Sequence, residues 1–64
     1  MKSFREAEFM VQMHWEDNGR FYKDYEDCVC DCIDSLLEAD MIGINASINL
    51  ARKFGIPTEY YDYQ

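Results

Sequence analysis

The chain has 64 residues, 48% of them hydrophobic, and a formal net charge of −7 at pH 7. This length allows one domain, residues 1–64, with little room for a concave active site, and the acidic balance disfavours direct binding to nucleic acid or to an anionic membrane. No apolar run approaches the roughly 20 residues that span a bilayer, and the odd number of cysteines, three, predicts a reducing cytoplasm rather than a secreted disulfide framework.

The first predicted element lies in residues 6–16, where apolar and polar side chains alternate. The apolar residues of one parity are Ala7, Phe9, Val11, Met13 and Trp15. A period of two is typical of a strand with one buried face, and on a helical wheel the same residues scatter. The residue types in this segment also favour helix, so an N-terminal helix is the alternative. Asn18-Gly19 predicts a hairpin turn, and residues 20–23 the return strand.

Two helices are predicted next. Asp24 is a good N-cap with Asp27 three residues later, and apolar residues then recur at three- and four-residue steps through Leu37, which predicts about four helical turns. A second helix is expected over about 45–54, ended by Gly55 and stopped by Pro57. The tail, residues 58–64, could add an edge strand. The fold prediction is therefore α+β: an N-terminal β-hairpin, two helices and an optional C-terminal strand, ββαα(β).

The cysteines and the histidine predict no catalytic or metal site. On the first helix, Cys28 and Cys32 face the core while Cys30 points nearly opposite, so three thiols do not converge on a metal. His14 is the only histidine, and the chain has no Gly-rich phosphate loop and no nucleophile elbow. We therefore expect a protein that is not an enzyme and has no cofactor or metal.

The carboxylates of residues 24–40 form the most unusual feature. At 100° per residue, five of them fall in one line opposite the apolar stripe: Asp24, Asp27, Asp31, Asp34 and Glu38. Glu26 and Asp40 flank this line, and no lysine or arginine lies between Asp24 and Ala51. An ordinary solvent-exposed helix face would explain where these acids lie. It would not explain why no basic residues are interleaved with them, because like charges at i,i+4 destabilise a helix by about 0.2–0.5 kcal/mol per pair. We therefore predict that these seven acids contact a partner.

The aromatic tail offers a secondary contact. Tyr60 and Tyr61, with Asp62, could extend the interface because tyrosine is enriched at protein–protein contacts. The alternative is that these rings pack at the edge of the sheet.

On its size, its charge and the acidic segment 24–40, the chain resembles a class of small acidic phage-encoded inhibitors, which includes DNA-mimic and anti-CRISPR proteins. The resemblance implies a cytoplasmic inhibitor, in the host cell if phage-encoded, that occupies the nucleic-acid-binding site of a basic host protein. Such a host protein would be a CRISPR effector, a nucleoid protein or a repair enzyme.

The alternative function is a structural or regulatory interaction module. It would bind through a sheet edge or an aromatic surface, with Met10, Tyr60 or Tyr61 among the contacts, and a homodimer is one form it could take.

Overall fold

A computed structural model of the protein describes residues 2–61, with side chains from residue 2 to residue 59. Three helices follow in chain order: α1 Phe4–Asn18, α2 Tyr25–Glu38 and α3 Ile44–Lys53. Short 3₁₀ helices cover Gly19–Phe21 and Thr58–Tyr61. Because α2 packs against both α1 and α3, it is the central element of the fold.

The predicted α+β fold is wrong, because residues 2–61 contain no strand. The segment expected to form the first strand is α1, and a capping box starts it. The Ser3 hydroxyl accepts from the Glu6 N–H (3.2 Å), and the Ser3 N–H donates to the Glu6 carboxylate (3.0 Å). Two backbone donors that the helix leaves unpaired are thus satisfied. The tail prediction is also wrong as far as residue 61, since Thr58–Tyr61 is helical; residues 62–64 lie outside the described part.

The alternation in the sequence arises because α1 has apolar residues on two opposite faces. Ala7 and Val11 are fully buried on the core side, and Trp15 lies one turn further along the same face. Phe9 and Met13 lie on the other face and are 65% and 37% exposed. Their distance from Val11 and Trp15 on the helical wheel therefore marks a second apolar surface rather than a strand.

Gly19 serves a close approach rather than a hairpin turn. Its φ of −55° is ordinary right-handed backbone, so the positive φ of a primed turn is absent. A Cβ at this position would lie 2.6 Å from Cε3 of Trp15. The missing side chain makes room for the indole, which meets the ring of Tyr25 edge-on at 4.8 Å between centroids. The return strand predicted for residues 20–23 is replaced by the end of the 3₁₀ helix and a bend.

Both predicted helices are confirmed, each with the same C-terminal motif. At the end of α3, the Ile56 N–H donates to the Ala51 carbonyl (2.8 Å) and the Gly55 N–H donates to the Arg52 carbonyl (3.2 Å). Gly55 lies in the left-handed region, with φ +74°. The end of α2 has the same two-bond pattern, but its left-handed residue is Asp40, with φ +59°. This Schellman arrangement favours glycine at the left-handed position. Asp40, expected to flank the partner-binding line, is thus first of all the residue that turns the chain out of α2.

The core lies between the three helices and the segments that follow α2 and α3. Fully buried side chains include Val29 and Ile33 from α2, with Leu50 from α3. The buried face of α3 is not wholly apolar, since Ile44 is 50% exposed while Ser47 is fully buried. Ser47 satisfies its buried hydroxyl by donating to the Ile44 carbonyl at 2.6 Å.

Candidate partner-binding site

The five carboxylates predicted to lie in one line are all exposed on α2 or at its N-cap. We call this set the acidic ridge: Asp24, Asp27, Asp31, Asp34 and Glu38. Four turns of α-helix separate its ends, at about 5.4 Å per turn. The opposite side of the helix carries the buried residues, Cys28, Val29, Cys32, Ile33 and Leu36. The geometry expected from the sequence is therefore present; whether the ridge binds a partner stays a prediction.

Structural hydrogen bonds occupy two of the five ridge carboxylates. Asp24 is the N-cap of α2, and its side chain accepts from the Asp27 N–H at 2.9 Å. Asp31 accepts a hydrogen bond from the hydroxyl of Tyr22. The carboxylates of Asp27, Asp34 and Glu38 are the ones that project without such a bond in the described part of the chain. All five keep their negative charge, but only these three have both carboxylate oxygens available to a partner.

The two flanking acids differ from the ridge in their surroundings. Glu26 is half-buried in the first turn of α2, where the helix dipole favours a negative charge. Asp40 is exposed in the turn after α2.

Within residues 2–59, no lysine or arginine forms an ion pair with a ridge carboxylate. An ion pair joins Lys53 to Glu8, with 3.3 Å between Nζ and Oε2. It ties α3 to α1 and leaves the ridge untouched. Consecutive acids at i,i+3 and i,i+4 therefore repel one another, and Glu38 also lies at the helix end where the macrodipole opposes a negative charge. The fold keeps an arrangement of charge that lowers its own stability.

Two side-chain hydrogen bonds in series connect the ridge to α1. Tyr22 donates its single hydroxyl hydrogen to Asp31, and its oxygen lies 3.0 Å from Nε2 of His14. The Tyr22 oxygen must then accept from His14, which assigns the ring proton to Nε2. The hydrogen bond to Asp31, followed by desolvation, raises the pKa of Tyr22 to about 12. At neutral pH this tyrosine is a fixed donor that orients the Asp31 carboxylate.

The cysteines are packing residues in this structure. Burial is the main cause that raises the pKa of Cys32, to about 11, and burial likewise raises that of Cys28. Their sulfurs lie 4.0 Å from the backbone carbonyls of Met10 and His14 respectively, so both thiols sit in the α1–α2 contact. Cys30 is half-buried and packs against the core, rather than pointing away from it. Within the described residues, no group of three His, Cys, Asp or Glu side chains has metal-site geometry.

An apolar surface on α1 was missed from the sequence, apart from Met10 as an alternative contact. We call it the apolar stripe: Phe9, Met10 and Met13, which are 65%, 36% and 37% exposed. These residues, with His14, Asp17 and Cys32, line a shallow depression of about 290 Å³ between α1 and α2. The signal that could have revealed it was the capping box at Ser3, because a helix beginning there places Phe9 and Met13 opposite Val11.

The secondary contact predicted in the tail lies outside the described side chains. The backbone of Tyr60 and Tyr61 belongs to the last 3₁₀ helix, and Asp62 lies beyond the described residues. Their predicted role stays a prediction.

Comparison of the chain with protein-family models, with curated proteins and with solved structures found no match. A phage origin, an anti-CRISPR assignment and DNA mimicry therefore gain no support, and we withdraw these three assignments together with the α+β fold. No helix in the described part of the chain combines the length and the hydrophobicity needed to cross a bilayer.

Proposed function

We propose that the protein is a non-enzymatic binding protein whose acidic ridge docks onto a basic surface of a partner protein. The observation that carries the proposal is the run of unpaired carboxylates, Asp27, Asp34 and Glu38, along an exposed helix face that forms no ion pair with the described residues. Occupation of a basic surface would keep other ligands of the partner from it, which is the inhibitory action expected from the sequence.

Electrostatic strain within the ridge supports this proposal. Asp34 and Glu38 are spaced i,i+4 and lie in the C-terminal half of α2, where neither the helix dipole nor a lysine offsets their charge. A basic partner would remove the repulsion on binding, so free energy that opposes folding would favour the complex. Complementary charge of this kind raises the association rate and selects against acidic partners.

The location we propose is a reducing cytoplasm. This rests on the odd number of cysteines, three, because intracellular thiols are kept reduced.

The experiment compares two pairs of substitutions that change net charge equally. Asp34→Asn with Glu38→Gln neutralises the exposed part of the ridge, whereas Glu16→Gln with Glu59→Gln neutralises two exposed acids elsewhere. The probe is a lysine homopeptide of about 16 residues, which spans the ridge length even when partly compact, titrated by calorimetry. We expect the ridge pair to weaken binding about tenfold, equivalent to about 1.4 kcal/mol, and the control pair to weaken it far less.

Salt provides the second readout. Because exposed charges are screened over about 10 Å at 0.1 M ionic strength, the affinity of the wild type for the probe should fall steeply between about 50 and 200 mM salt. Equal losses in the ridge pair and the control pair would mean that only net charge matters, and the proposed site would be wrong.

A further inference from the structure

The depression between α1 and α2 is lined mainly by apolar side chains, and it can receive an apolar side chain of a partner. Met10 and Met13 form its α1 wall and Cys32 lies on its α2 side, while Asp17 is the one carboxylate among its lining residues. Its volume, about 290 Å³, lies just below the range of about 300–1,000 Å³ typical of small-molecule sites. It is also shallow, which suits a side chain presented by another protein better than an enclosed ligand.

The depression and the acidic ridge are parts of one continuous surface. His14 lines the depression, and its Nε2 contacts the hydroxyl of Tyr22 at 3.0 Å. That hydroxyl in turn donates to Asp31, a member of the ridge. A ligand that places an apolar group against Met10 can therefore reach the carboxylates of α2 without crossing another helix.

From this juxtaposition we propose that the protein binds an amphipathic basic helix of a partner protein. An apolar side chain of that helix occupies the depression beside Met10 and Met13, while lysine or arginine side chains one turn away pair with the ridge. The inference rests on the proposed function, and it adds the class of segment that the partner presents.

Charge complementarity decides between this occupant and a second copy of the chain. Two copies would each bring a net charge of −7, and pairing their apolar stripes would bring the neighbouring acids together, which costs several kcal/mol for like-charge contacts in an interface. A basic helix meets the same surface with the opposite sign. Exposed methionines suit such a role, because their flexible thioether side chains adapt to differently shaped apolar groups.

The probe for the test is a synthetic helix of leucine and lysine, about 18 residues long, with its leucines on one face. A peptide of the same composition in scrambled order is the control for charge. The protein variants are Met10→Gln with Met13→Gln, and Met41→Gln as a matched control, since Met41 is 38% exposed but lies beside Lys2, beyond the start of α1. Glutamine has nearly the helix propensity of methionine, so the fold is retained.

We expect the amphipathic helix to bind the wild type at 1:1 and about tenfold more tightly than the scrambled peptide. The Met10/Met13 variant should lose that advantage, and the Met41 variant should keep it. In spectra of protein carrying ¹³C-labelled methionine methyl groups, the signals of Met10 and Met13 should shift on titration while that of Met41 stays in place.

Three results would overturn the inference. Equal affinity for both peptides, with no effect of the Met10/Met13 variant, would show binding by charge alone and leave the proposed function intact. Absence of binding by the amphipathic helix would exclude this class of partner. Self-association of the wild type that disappears in the Met10/Met13 variant would make a second copy the occupant. The proposed function has its own test, because it fails if neutralising Asp34 and Glu38 weakens binding no more than neutralising Glu16 and Glu59 does.

Discussion

The charge of Glu38 should destabilise the protein, and its removal should reveal by how much. Glu38 is the last residue of α2 and follows Asp34 by four residues. Replacing it with glutamine removes one i,i+4 repulsion, about 0.2–0.5 kcal/mol, and one unfavourable dipole contact, about 0.3–1 kcal/mol. Glutamine and glutamate have similar helix propensities. We therefore expect Glu38→Gln to raise the free energy of unfolding by about 1 kcal/mol, and the melting temperature by about 4–8 °C for a domain of this size.

Asp27→Asn is the matched control on the same face of the same helix. This substitution changes the net charge by the same amount as Glu38→Gln, and it also removes one i,i+4 repulsion, the one between Asp27 and Asp31. Asp27 lies in the first turn of α2, however, where the dipole favours a carboxylate. The two terms then oppose each other, and the expected change in stability is between zero and a small loss.

Thermal unfolding followed by circular dichroism at low ionic strength measures both variants. The difference between Glu38→Gln and Asp27→Asn should shrink at about 1 M salt, where the Debye length falls to about 3 Å. Equal stabilisation by the two substitutions would show that the molecule responds to net charge alone, and the reasoning about position within the helix would be refuted.

Three further predictions follow from particular contacts. Gly19→Ala should destabilise the protein by about 1–3 kcal/mol and shift the emission of the only tryptophan, because the new methyl group would lie 2.6 Å from the Trp15 ring; unchanged stability and emission would contradict the close approach. Asp40→Gly should stabilise by about 1 kcal/mol in urea unfolding, since it relieves a left-handed backbone and removes a charge from a helix C-terminus; a loss of stability would contradict this origin. Tyr22→Phe should lower the free energy of unfolding at pH 8. In the folded protein the pKa of Tyr22 is raised from 10.0 to about 12, so the stabilisation by this tyrosine is complete below pH 10 and is lost as the pH rises through about 12. The difference in stability between the wild type and the variant should therefore shrink from pH 10 to about pH 12. A deficit that stays constant across this range would exclude the Tyr22–Asp31 bond as its source.

The central helix could be predicted from the sequence because its signals agree with one another. Asp24 is both a good N-cap and the residue before regularly spaced apolar residues, and in the structure its side chain accepts a hydrogen bond from the Asp27 N–H. The same periodicity predicted that the acidic ridge lies on the opposite face of α2. Gly55 before an apolar residue and a proline likewise located the end of α3. Where capping, periodicity and chain termination coincide, the local sequence is sufficient.

The first helix could not be predicted in the same way because its surface departs from the usual amphipathic pattern. Exposed apolar residues, Phe9 and Met13, lie opposite buried Val11, so the segment lacks the uniformly polar exposed face that is typical of an amphipathic helix. Asn18-Gly19 then matched a hairpin turn, although the glycine is required by the ring of Trp15, which only the tertiary structure reveals. Local patterns mislead most where the surface is apolar, and that is also where we place the partner.

The most direct test of the central claim is to map binding residue by residue. Backbone amide signals of ¹⁵N-labelled protein are recorded while the leucine–lysine helix is added at low salt. The account predicts that the largest shifts fall on residues 27–38 of α2 and on 9–14 of α1, with α3 unchanged. Shifts centred on α3, or spread evenly over the molecule, would contradict it.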